Sequence, residues 1–202
     1  MSIIQLPRDA GLAAGRNELI RNTLTEYFLY FDDDFWLEDN SHAHRLVQYL
    51  SNHPKVDIVG GTVSDRPEYT GFDFDIVSTI SSGGDKHDEY VKKTLIQRAV
   101  PKHMSQCTKV DIVPNFFAAR TASLKKVKWD PHFKLGEHED FFVRAKAKGL
   151  HVESCSKMSI AHHAPNTKWY YSSTETMNGY SRRRRRAFMY MQDFLNKHDL
   201  ST

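Results

Sequence analysis

A chain of 202 residues, 40% of them hydrophobic, is long enough to bury one sizeable core and too short for two, so a single domain over 1–202 is expected. The net charge of +3, from 28 basic and 25 acidic side chains, gives no ground for a nucleic-acid partner, and no run of about 18 apolar residues marks a transmembrane segment. Two cysteines, Cys107 and Cys155, lack metal-binding spacing and fit a pair of buried thiols in a reducing compartment, so a soluble, cytoplasmic protein is expected.

Ser2 to Leu6 reads as a short buried strand stopped by Pro7, and Leu12 to Leu24 as a helix with Leu12, Leu19, Ile20 and Leu24 turned to a core. Glu26 to Phe31 is a run of β-favouring residues that ends abruptly in three carboxylates. Ala43, Leu46, Val47 and Leu50 fall at i, i+3, i+4 and i+7 of a helix, and Val56 to Val63 supplies a further strand around Gly60-Gly61. This alternation predicts an α/β fold, a mostly parallel central sheet flanked by helices.

Between Ser64 and Pro101, Phe72, Phe74 and Ile76 alternate with polar residues, which predicts a small antiparallel element with a turn at Ser81 to Asp85. Val110 to Arg120 reads as extended, Glu139 to Lys148 as a helix stopped by Gly149, and Leu150 to Cys155 as a strand. A basic C-terminal helix, about 172–198, is expected to dock through Phe188, Met191, Phe194 and Leu195.

Asp32-Asp33-Asp34 follows a buried strand, where adjacent carboxylates repel one another unless a cation or a wet cleft absorbs the charge. Open α/β sheets bind ligands beyond the carboxyl ends of their strands, so these residues are candidates for a Mn²⁺ or Mg²⁺ site bridging to a diphosphate. Gly136-Glu137-His138-Glu139-Asp140 opens a helix with carboxylates, which suits either the helix dipole or a general base. His162-His163 at a strand end suits either a plain surface position or, combined with the aspartates, a mixed oxygen and nitrogen donor set that favours manganese.

Gly11 to Asn17 followed by Glu26 to Asp34 resembles the succession of small residues, Arg-Asn, strand and Asp-rich turn of family 2-like GT-A glycosyltransferases. Asn115 to Thr121, Trp129-Asp130, Glu139 to Phe142, Gly149 and Ser154-Cys155-Ser156 are especially similar to the β-1,4-N-acetylgalactosaminyltransferases that build gangliosides. The same set looks like the glycosyltransferase domain that opens a large chlorella-virus protein. The resemblance covers about Ile3 to His163 and implies a Rossmann-like GT-A fold, a UDP-sugar donor, a glycan or glycoconjugate acceptor and inversion at the sugar carbon.

Carried over, it implies that Asp32 and Asp34 frame the metal and nucleotide site with Asp33 between them, and that Asp34 is the most direct metal ligand. Asp140 becomes the catalytic base, Glu139 orients it or touches the sugar, and His162 or His163 is the late metal ligand, with His162 favoured. Arg16 lies near the nucleotide, braces the acidic loop or makes a purely structural salt bridge, Asn115 lines the sugar or acceptor cleft, and core packing is the better reading of Trp129. Such enzymes usually begin with further strand and helix units whose loops hold uracil, so either Ile3 to Arg8, with Arg8 itself, supplies that pocket or the domain extends beyond this chain.

Two readings from other classes stand beside this one. Arg182 to Arg186, flanked by Tyr180 and Phe188, offers phosphate contacts to a nucleic acid, although five consecutive arginines on a helix point in all directions. Adjacent aspartates also serve metal-dependent phosphohydrolases, which need a second inward carboxylate cluster.

Overall fold

Residues 3–37, 43–64, 71–82, 89–99, 107–134, 136–162 and 193–200 are described by the structure, a computed structural model. Strand β1, Tyr27–Phe31, alternates as its sequence requires: Phe28 and Tyr30 enter one core, and Tyr27, Leu29 and Phe31 pack against another on the opposite face. The first core also takes helix α1, Leu12–Asn22, helix α3, Thr121–Val127, and helix α4, Glu137–Ala147. The second takes helix α2, Ala43–Asn52, whose Leu46 and Leu50 are completely buried, as the spacing predicts, each contributing about 2–3 kcal/mol of apolar burial.

The remaining strands are β2, Phe35–Trp36; β3, Ile58–Val63; β4, Phe72–Ser82; β5, Glu89–Ala99; β6, Cys107–Val110; β7, Phe116–Arg120; and β8, Val152–His162. The main sheet has the order β1-β7-β3-β8-β2, with β6 also paired to β8, while β4 and β5 form the separate antiparallel hairpin that the Phe72, Phe74, Ile76 pattern predicts.

The class is α/β, as expected, but the sheet is mixed. Strands β1, β3 and β8 run one way, whereas β7 is inserted antiparallel between β1 and β3, and β2 and β6 run back along β8. An apolar run such as Phe116 to Ala119, buried on both faces, reads the same in either direction, so hydrophobicity alone could not set its polarity.

At the N-terminus, Ile3 is 85% exposed and no strand forms from Ile3 to Leu6; this segment lacks a partner strand among the described residues. The core-facing stripe of α1 is Ala13, Arg16 and Ile20, leaving Leu12, Leu19 and Leu24 exposed. A charged residue thus takes a place assigned to leucines, and it does so because it has buried partners, described below. Helix α4 ends as read: Gly149 takes a positive φ, and the amides of Gly149 and Leu150 return to the carbonyls of Lys146 and Ala145.

Two thiols were expected, and a disulfide joins them: β6 and β8 place Cys107 opposite Cys155 with the Cα atoms 4.1 Å apart. A 48-residue separation hid a register that only the folded sheet creates. Just beyond, β8 advances from Ser154 to Ser159 while β3 advances from Gly60 to Thr62, so β8 bulges. Gly61 is required there, because a Cβ would drive into the Met158 carbonyl and the Phe116 ring.

Candidate active site at the carboxyl edge of the sheet

Strand polarity gathers the site. Because β1 and β8 run the same way, Asp32 and His162 both lie at the carboxyl edge of the sheet. Antiparallel β7 begins at that edge, and the register Phe31 to Phe116 sets Asn115 beside Asp32. Strand β2 then turns back after the acidic triplet and pairs Phe35 with His162, which brings Asp34 to the histidine.

Asp34 Oδ2 and His162 Nε2 are 3.3 Å apart, and the Phe35 ring lies edge-on to the imidazole at 5.7 Å. The Asp34 side chain is 48% exposed, so its oxygens face the open edge, and Asp33 beside it is also exposed. Asp32 sits differently. Its Oδ1 accepts from the Tyr30 hydroxyl at 3.0 Å and its Oδ2 from Asn115 Nδ2 at 2.9 Å. Burial pushes its carboxyl up, and the bonds from Asn115 and Tyr30 offset part of that rise.

The Tyr30 hydroxyl also accepts from Arg16 Nε at 2.9 Å, and Arg16 Nη1 forms a 3.0 Å ion pair with Glu137 at the start of α4. Burial, with the nearby Asp32 charge, pushes the Tyr30 hydroxyl up to about 12, so it stays protonated and donates to Asp32. Arg16 is 2% exposed, lies over the Tyr30 ring, and leaves Nη2 without a hydrogen-bond partner among the described residues. A chain of hydrogen bonds thus runs from buried Glu137 through buried Arg16 and Tyr30 to half-buried Asp32 and Asn115. Its neighbour Asn17 bonds both the amide and the carbonyl of Trp129, whose ring stacks on Phe141 in the core.

Tyr30 and Glu137 carried no role in the sequence reading. Tyr30 was legible in part, since it shares a strand face with Asp32 two residues on; the pairing of Glu137 with Arg16, 121 residues away, was not.

Asp140 belongs to a second centre. Its side chain is fully buried on α4, and its Oδ2 accepts from Arg144 Nε and Nη2 at 2.8 and 2.6 Å. His198 Nε2 and Lys197 Nζ approach Oδ1 at 2.9 and 2.7 Å. Burial alone would raise this carboxyl, but the bonds from His198, Arg144 and Lys197 together outweigh it and hold it well below the usual carboxylate range. Glu139, one residue earlier, is exposed, as is Arg8 at the N-terminus. His138 is buried against the Val113 carbonyl at 2.7 Å, and burial lowers its imidazole to about 4, so it is neutral.

His163, the Arg182 to Arg186 run and most of the expected C-terminal helix lie outside the described residues. Among the described residues, no three His, Cys, Asp or Glu side chains gather as a metal set, and no helix is long and apolar enough to cross a membrane. A cavity of about 470 Å³ beside the bulge is lined by Tyr49, His53, the two cysteines, Ser156, Lys157 and Met158 and includes none of the site residues.

A family model described as glycosyl transferase family 2 matches residues 1–127. The chain belongs to glycosyl transferase family 2. This family 2 chain is 32% identical over 163 residues to beta-1,4 N-acetylgalactosaminyltransferase 1 of Homo sapiens, covering 78% of itself and 29% of that protein. It is 29% identical over 170 residues to the Rattus norvegicus protein of the same name, covering 84% of itself and 31% of the relative. Against beta-1,4 N-acetylgalactosaminyltransferase 2 of Mus musculus it is 30% identical over 158 residues, again covering 29% of the relative. The family 2 chain thus spans about a third of the length of these curated relatives. A mixed sheet with helices on both faces and an acidic turn at its carboxyl edge is consistent with the GT-A fold.

Proposed function

We propose that the chain transfers a hexose or 6-deoxyhexose, of glucose, N-acetylgalactosamine or rhamnose type, from a UDP-sugar to a glycan hydroxyl with inversion, assisted by Mn²⁺ or Mg²⁺. The observation that carries the reading is the Asp34–His162 pair, 3.3 Å apart with the Asp34 carboxylate half exposed, next to an Asp32 that Tyr30 and Asn115 hold by hydrogen bonds. The names of the relatives favour N-acetylgalactosamine as the sugar.

The donors present fit a hard divalent cation. Such ions in nucleotide enzymes take one or two protein groups and complete their shell with phosphate oxygens and water, and Asp34 with His162 supplies one oxygen and one nitrogen. Bound there, the cation would neutralise charge on the departing diphosphate. The rest falls to the chain. Asp32, held by Tyr30 and Asn115, fixes the loop carrying Asp33 and Asp34, so that the donor's diphosphate meets a preorganised edge. The acceptor oxygen attacks the anomeric carbon, the bond from that carbon to the diphosphate oxygen breaks, and the acceptor proton passes to Asp140, with exposed Glu139 contacting the sugar.

Isothermal titration with UDP and Mn²⁺ tests the first half: Asp34→Ala loses Mn²⁺-dependent UDP binding, and undiminished binding rejects the site. Asp140→Asn, with its fold checked by circular dichroism, keeps donor binding and loses UDP release; retained turnover rejects the base.

A further inference from the structure

Asp140 is the carboxylate this chemistry needs open, and in the structure it is closed. A carboxylate offers about four lone-pair sites. Two donors from Arg144 lie at Oδ2, and Lys197 and His198 lie at Oδ1, so no site remains for an acceptor hydroxyl.

The two pairs are not equally fixed. Arg144 stands one turn along the same helix, and its Nη1 also donates to the Val127 carbonyl at 2.8 Å. Lys197 ends a short helical turn at residues 193–197 and His198 follows it, 58 residues beyond Asp140 in the chain. That segment rests on Phe74, Phe133 and Val143 through Phe194 and Leu200. Lys197 also reaches Asp130 at 2.7 Å and lies 4.9 Å over the Phe133 ring. Beneath the segment, therefore, are two carboxylates beside aromatic rings. Sugars are bound by that combination, since hydroxyls donate to carboxylates and the C–H faces of the pyranose pack on rings.

We propose that residues 193–200 occupy the acceptor's place: Lys197 and His198 stand where the hydroxyl donors of an acceptor sugar bind, and transfer requires the segment to lift from Asp140. The inference rests on the reading of Asp140 as the base. It assigns the groove of Phe133, Asp130 and Asp140 to the acceptor and makes the chain's own C-terminal turn its competitor.

Two measurements on the full chain test it: carbodiimide labelling of the Asp140 carboxyl, read by mass spectrometry, and UDP release from UDP-N-acetylgalactosamine with Mn²⁺ in water. Phe194→Ser removes the apolar anchor and keeps both donors; Lys197→Met with His198→Leu removes the donors and keeps the anchor, so a folding failure in one leaves the other. The expected result is a rise in Asp140 labelling of about tenfold and in UDP release of about fivefold over the parent chain, as the open fraction grows. Adding Asp140→Asn to either background abolishes release. Asp140 still protected in a folded variant overturns the proposal, as does labelling without faster release. Release that survives Asp140→Asn overturns the base reading, and the block with it, even where labelling follows the expected pattern.

Discussion

Asp34 and Asp140 are the same side chain in opposite surroundings. Asp34 is half exposed and meets one histidine, whereas Asp140 is fully buried and meets four nitrogen donors from two separate segments. Coulombic strength is concentrated where the carboxylate has no capacity left for a ligand, and capacity is kept where pairing is weak. Stability and ligand binding should therefore respond to mutation at opposite ends of the site.

The sharpest way to break that contrast is Asp140→Ala, which strands cations around an emptied position and should cost about 3–5 kcal/mol in urea unfolding. A loss under about 1 kcal/mol would dissolve the distinction. Acid comes next. The unfolded chain protonates His138 at its ordinary value of 6.5, and the folded chain resists until about 4. The folded value is the lower one, so this contribution is complete above pH 6.5 and declines as the pH falls towards 4, by about 3 kcal/mol. His138→Gln should flatten the stability profile across that window.

Tyr30→Phe sits between the two ends. It removes one acceptor from the Arg16 guanidinium and one donor to Asp32, and about 1–2 kcal/mol of stability should go with them. Smallest is Asp34→Asn, expected within about 0.5 kcal/mol of the parent, since the half-exposed Asp34 carboxylate is screened by water. A larger loss would mean that Asp34 holds the fold together.

The features legible in the sequence were those that depend on near neighbours. The run Tyr27 to Phe31 with its terminal aspartates, the Leu46 and Leu50 stripe and the Gly149 stop all follow from spacings of a few residues. Partners distant in sequence were hidden. The reversal of β7, the joining of Cys107 to Cys155 and the approach of His198 to Asp140 depend on register and packing across tens of residues. The exposure of Leu12 and Leu19 has the same origin, because the Arg16 face of α1 wins burial only through Tyr30 and Glu137. Candidate ligands could thus be named from sequence, while which of them stand together, and which are already engaged, could not.

The cystine makes residues 107–155 a covalent ring. Asn115, Trp129 and all of α4 travel inside it, whereas the acidic turn, His162 and the 193–200 segment hang outside as tails. A protease that cuts between Phe116 and Ala147 would release nothing until a reductant is added. The same closure persists in the denatured chain, so α4 begins refolding already tethered to the strand pair that its neighbours must find.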